Sequence, residues 1–161
     1  MGWNVAVVVV RDARVADLAP LGYRAFGMPV TGDVAAGSTG PELSALQHGA
    51  HTVLLDAGYA WIDLGERVVA GLRRPVATAL FGSVSDTWLF QLDVPGRETR
   101  RVVWSQGQAA DEAGARLPEE QPGPLDEAAL GTLLARVTGF PGDLDWLHAR
   151  WQPLTFPDPV A

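Results

Sequence analysis

Residues 76–104, VATALFGSVSDTWLFQLDVPGRETRRVVW, decide how this chain folds. Val84, Trp88, Phe90, Leu92 and Val94 recur at alternate positions, with Ser85, Thr87, Gln91 and Asp93 between them and Leu89 as the exception. Successive side chains of a strand point to opposite faces, so this alternation predicts a half-buried strand. Pro95-Gly96 supplies a turn, because proline presets φ and glycine tolerates positive φ. The return strand is predicted from about Glu98 to Trp104. A loop of Pro95, Gly96 and Arg97 sets Phe90 opposite Val102 and Trp88 opposite Trp104, keeping apolar residues on one face; a slip of one residue would reverse that. Asp86 falls on this same face, where an unpaired carboxylate is costly. Gly82, Ser83 and Ser85 therefore predict a break or bulge there, with Asp86 bonded to nearby backbone N–H groups.

On the N-terminal side, Asn4 to Val10, unbroken apolar from Val5 on, predicts a strand covered on both faces and a parallel addition to the sheet. Asp12 is placed as the cap of a short helix carrying Val15 and Leu18 and ended by Pro20. Residues 21–38 lack a clear period. Thr39-Gly40-Pro41-Glu42 has the form of a capping box before a helix with Leu43 and Leu46, stopped by Gly49. His51 to Leu55 reads as a strand, Asp56-Ala57-Gly58 as a turn, and Tyr59 to Ile62 as the returning strand. Asp63 and Glu66 precede a helix bearing Val68, Val69 and Leu72, closed before Pro75.

On the C-terminal side, residues 105–123 read as a long polar loop, of a kind usually functional or mobile. Pro124 opens a helix with Leu130, Leu133, Leu134 and Val137 on one stripe, Asp126 and Glu127 at its N-terminal dipole, and Gly139 at its end. A second helix is predicted from Asp143, with Leu144, Leu147 and Trp151 on one face, followed by an extended tail from about Pro153. The expectation is a single domain over 1–161: α+β, a mainly antiparallel sheet with two hairpins, short connecting helices and a C-terminal helical pair packed on it.

Composition narrows the function. The 161 residues are 47% hydrophobic and 19% charged, as in a globular protein that supports its own core. The absence of cysteine removes thiol catalysis, disulfides and thiolate metal sites. All twelve basic residues are arginine, which removes lysine Schiff-base chemistry and the phosphate-gripping lysine of a P-loop. A net charge of −7 argues against nucleic acid or anionic membrane as a partner. The longest apolar run is too short to span a bilayer and has no basic region before it, so the expected location is the cytoplasm.

No motif points to a cofactor. Gly32 to Thr39, GDVAAGST, has P-loop spacing with serine in place of lysine, and reads best as a loop ending in a helix cap. His48 and His51, with Asp56 as an oxygen donor, have a spacing that requires no metal, and none is assigned. Ser83 and Ser85 lack the context of a nucleophile elbow. Asp86 with Asp56 or His51 forms the weak catalytic candidate set, and Asp63 is explained as a cap. Among the six tryptophans, Trp61, Trp88 and Trp146 are candidate binding anchors, since an aromatic turned from the core suits an interface.

The segment GSVSDTWLFQLDVPGRETRRVVWSQG followed by GARLPEE resembles the central motif of small actinobacterial domain families without an assigned activity. The matching residues are Ser83, Val84, Asp86 and Trp88, then Gly114, Leu117, Pro118 and Glu119, with Thr87 departing from the pattern. The resemblance implies an origin and a similar sheet, and no activity.

Three functions follow as expectations. The first is a non-catalytic intracellular binding protein that engages a protein partner; an immunity-type inhibitor of a basic toxin fits by analogy. The second is a small hydrolase-like enzyme using Asp86 with Asp56 or His51. The third is self-association as a homodimer through a sheet edge or a tryptophan face.

Overall fold

A computed structural model describes residues 3–59 and 65–157, the side chains of 65–67 excepted. Its framework is one sheet of ten strands: β1 (Asn4–Val10), β2 (Arg24–Ala25), β3 (Val30–Thr31), β4 (Leu43–His48), β5 (His51–Asp56), β6 (Val76–Gly82), β7 (Thr87–Asp93), β8 (Arg100–Ser105), β9 (Gln108–Ala113) and β10 (Arg150–Thr155). The order across the sheet is β2-β10-β4-β5-β1-β6-β7-β8-β9, with β3 also on β10. Every described pairing is antiparallel.

β1 lies at the centre, and its residues from Val5 to Val10 are all buried. Both faces of the sheet are covered, which is why the run does not alternate. The described α-helices are α1 (Gly32–Ala35), α2 (Gly65–Leu72) and α3 (Glu127–Thr138). Val5, Val7 and Val9 pack with Leu130, Leu133 and Leu134 of α3. Val8 and Val10 pack on the other face with Leu18 of a 3-10 helix (Val15–Leu21) and Val68 of α2 (Gly65–Leu72). Asp126 caps α3 by accepting from the Ala129 N–H at 2.8 Å, and Gly139 ends it in the left-handed conformation, φ 81°. Among the described residues no helix is long and apolar enough to cross a membrane.

The β7–β8 register agrees with the reading of the sequence: Phe90 faces Val102 and Trp88 faces Trp104. The paired ladder stops at Leu92 and Arg100, so the connection is longer than three residues. β7 starts only after Asp86: residues 83–86 are the β6–β7 turn, in which Asp86 has φ 48° and Val84 is exposed.

Other expectations are corrected. β1 is not parallel to its neighbours; it pairs antiparallel with β5 and β6. Leu43 to His48 is a strand, because Leu43 and Ala45 fill one face while Ser44 and Leu46 turn to the other between β5 and β10. Residues 60–62 of the expected returning strand lie outside the described residues, as do Trp61 and Asp63. Tyr59 has φ 59°, and both edges of β5 are taken by β4 and β1. The sheet contains the hairpins β4–β5, β6–β7, β7–β8 and β8–β9 rather than two. The C-terminal helical pair is a single helix, α3, followed by turns and then β10, which carries Trp151 into the core. The extended tail from Pro153 is the second half of that strand.

Ser44 is fully buried, and its hydroxyl has no hydrogen-bond partner among the described residues. An unsatisfied buried hydroxyl is destabilising, so Ser44→Ala is expected to raise the unfolding free energy by about 1 kcal/mol. The check is the urea midpoint, which should move up at constant slope; a lowered midpoint would contradict the assignment.

Candidate functional site

Arg100, Val102 and Trp104 alternate along β8, and the β7 neighbours Trp88 and Phe90 place them on the α3 face of the sheet. α3 itself packs on β6 and β7. Beyond them the face is covered by the segment 114–125, which crosses back from β9 to α3. This segment and β9 occupy the expected loop 105–123. Gln106 and Gly107, both at positive φ (51° and 74°), form a two-residue hairpin turn that returns the chain as β9. β9 is the last strand of the sheet and is exposed along nearly its whole length. Ala110 is the extra residue where the register shifts between Val103 and Trp104.

Arg100 holds the segment down. Its side chain is 4% exposed and its guanidinium meets Glu120 twice, Nε to Oε2 at 2.9 Å and Nη2 to Oε1 at 2.6 Å. Nη2 also reaches Glu112 at 2.7 Å, and Nη1 donates to the carbonyls of Ala113 and Gly114. Glu120 in turn accepts from the Leu117 N–H at 2.6 Å. Burial pushes the Glu120 carboxyl up, but the Arg100 and Leu117 hydrogen bonds and the Arg100 charge outweigh it and hold the group below its ordinary value. The Glu120 hydrogen bond raises Arg100 in return, so both stay charged. Gly114, at φ 78°, must be glycine: a Cβ there would lie 2.3 Å from the Thr99 carbonyl oxygen.

A cleft of about 280 Å³ remains between this segment and α3. Val102 and Trp104 line it, Pro124 and Leu125 wall it, and its charged lining is mixed, with Arg116 and Arg136 beside Glu112 and Glu119. Arg136 Nη1 and Nη2 donate to the Gln121 amide oxygen at 3.0 and 3.1 Å in the amide orientation that satisfies both residues. The arginine knot was missed in the sequence. Its signal was a charged residue in phase with Val102 and Trp104 on an inward face.

The residues singled out in the sequence lie elsewhere and are not brought together. Asp86 sits at the β6–β7 turn on the α3 face, where its Oδ1 accepts from the Trp88 indole Nε1 at 2.8 Å rather than from backbone. Asp56 is fully buried on the opposite face with Leu43 and Leu54, and its carboxylate accepts from the Gly58 N–H. His51 begins β5, five residues and about 17 Å of strand from Asp56. Among the described residues no shared cleft gathers the three. His51 does face His48 across the β4–β5 ladder, but its Nδ1 accepts from the Asp12 N–H at 3.0 Å, and His48 packs edge-on against Phe140. Among the described residues no group of three or more histidine and acidic side chains could hold a metal. In the P-loop-like stretch, the Gly32 and Asp33 N–H groups donate to the Leu147 carbonyl, which leaves neither for a phosphate.

Of the tryptophan anchors, Trp88 is buried in the core. Trp146 is half-buried, with its ring centroid 4.7 Å from that of Trp3 and tilted at 47° to it. Trp88 therefore presents no free face, whereas Trp146 keeps part of its ring accessible.

Asp86 has a structural role that can be measured. Asp86→Ala removes the indole's partner and places a residue with no local side-chain bond at positive φ, for an expected loss of about 2 kcal/mol. Asp86→Asn, which tolerates that φ and keeps an acceptor, should lose less than about 0.5 kcal/mol. Equal losses in thermal melts of the two variants would contradict this role.

Compared with protein-family models, curated proteins and solved structures, the chain matches none.

Proposed function

We propose that this chain is a non-catalytic binding protein that takes up an extended segment of a protein partner along β9. The observation that carries the reading is an exposed end strand beside a cleft that holds an aromatic and arginines. A strand added to a sheet edge gains affinity from main-chain hydrogen bonds and specificity from alternate side chains reaching pockets. Proteins commonly guard such edges with charge. On β9 the two charges are paired from within, Asp111 with Arg101 at 2.8 Å and Glu112 with Arg100. Trp104, Arg116 and Arg136 supply the residue types that dominate interface energies. A small inhibitor of another protein fits this mode of binding, and so does pairing of β9 with a second copy.

Native mass spectrometry of the tagged chain from its own host tests the reading, with Ala109→Pro alongside. Gln108 and Ser105 close the two-residue turn as a hydrogen-bonded pair, so the next residue, Ala109, turns its N–H to the free edge, where an end strand accommodates proline. The expected result is a stoichiometric second protein, or a doubled mass, that disappears in Ala109→Pro without a change in melting temperature. A complex that survives the substitution would place the contact elsewhere. A monomer in both cases would remove the reading's support.

A further inference from the structure

A second cavity, of about 190 Å³, lies on the α3 face away from β9, between β1, β6, α3 and the turn after α3. Trp3, Phe81, Phe140 and Trp146 line it. The Trp3 and Trp146 rings meet at 47°, as a wedge rather than a flat stack. α3 contributes Glu127 and Gly131, four residues apart and so on one helix face. Glu127 is the single charged residue of the lining, and it makes no ion pair or side-chain hydrogen bond among the described residues. Gly131 is unfavourable in a helix interior, yet a Cβ added there would meet nothing within 4 Å. The glycine leaves open the part of the cavity that any larger side chain would enter.

We propose that this cavity binds a small organic cation, with a methylated ammonium group held against the aromatic faces and Glu127 as its counter-charge. Aromatic faces attract a weakly hydrated cation through their quadrupoles, and a carboxylate without an internal partner completes the charge balance. The volume admits a headgroup rather than a large ligand. Free trimethylammonium compounds and trimethyl-lysine side chains share this chemistry.

The test is a titration of the full chain, followed by tryptophan fluorescence and calorimetry. The probes are choline, an acetylated trimethyl-lysine amide, and 3,3-dimethylbutanol as the neutral isostere of choline. Saturable binding of at least one cation is expected, with the neutral isostere weaker by about tenfold or more. The tighter of the two cations identifies the source. Glu127→Gln should weaken the cation about tenfold and leave the isostere unchanged. Gly131→Leu should abolish binding while the melting temperature holds or rises, since leucine is the better helix former. Equal affinity for choline and its isostere, no binding of either cation, or binding that persists in Gly131→Leu would each overturn the proposal. Should Gly131→Leu fail to fold, Gly131→Ala, a smaller intrusion, is expected to reduce affinity in the same direction, and undiminished binding in it would overturn the proposal.

Discussion

Arg100→Met is expected to destabilise the protein by about 3–5 kcal/mol, because it leaves Glu120 buried without its counter-charge. It also removes the donors to the Ala113 and Gly114 carbonyls. The damage should be local first: hydrogen exchange in 114–125 should accelerate before the sheet responds, since Arg100 joins that segment to β8. Glu120→Gln is the milder partner substitution, and the double variant should recover part of the loss, giving a clear coupling energy in a double-mutant cycle. The pH dependence has a definite sign. Glu120 is held below its unfolded value, so the pair's contribution is complete above an unfolded pKa of about 4.3 and is lost as pH falls through the lower, folded value. The stability gap between wild type and Glu120→Gln should therefore be widest near neutrality and shrink in acid. Additive single losses, or a gap that grows in acid, would contradict the pairing.

Trp151→Ala should cost a similar amount, about 3–5 kcal/mol, through the cavity it leaves. Trp151 is fully buried, lies edge-on to Phe140 at 6.4 Å, and donates its indole N–H to the Trp146 carbonyl at 2.9 Å. It thereby joins β10 both to the core under α3 and to the turn that lies against Gly32. Far-UV circular dichroism in urea measures the loss without relying on the removed fluorophore. Because β2 and β3 are paired with β10, their amides at Arg24, Ala25, Val30 and Thr31 should exchange faster in the variant. A loss below about 1 kcal/mol would show that the core closes over the gap.

The parts of this fold that can be read from the residues are those where side chains alone set the pattern. β1 is a continuous apolar run, β7 and β8 alternate, and α3 has a leucine stripe with Asp126 and Gly139 at its ends. β4 was hidden because Thr39-Gly40-Pro41-Glu42 imitates a helix start, whereas its strand state comes from the partners on either side. β9, with the sequence QAADEA, carries no apolar alternation, since an exposed end strand has no core face to supply. β10 was hidden by the helical spacing of Leu144, Leu147 and Trp151 and by Pro153. The proposed binding surfaces were less legible still. Trp88, buried in the core, looks identical in sequence to a free anchor, and only the pairing of Phe90 with Val102 and Trp104 with Trp88 puts Arg100 beneath a returning segment. The Glu127–Gly131 spacing was visible, but the aromatic residues opposite it come from three distant parts of the chain.

The position of β10 also has a consequence for how the chain is made. From β6 to β9 each new strand pairs with the one just completed, so this half of the sheet can form as it is synthesised. β4 is different: its outer neighbour is β10, and the contact of Ala45 with Gln152 closes a loop of about a hundred residues. Contacts so distant in sequence form slowly. On the ribosome β4 stands with one side bare while the whole meander is built beside it, and β2 and β3 have no sheet to join. The interval before β10 arrives is the one in which a nascent chain of this topology is most open to pairing with the wrong strand.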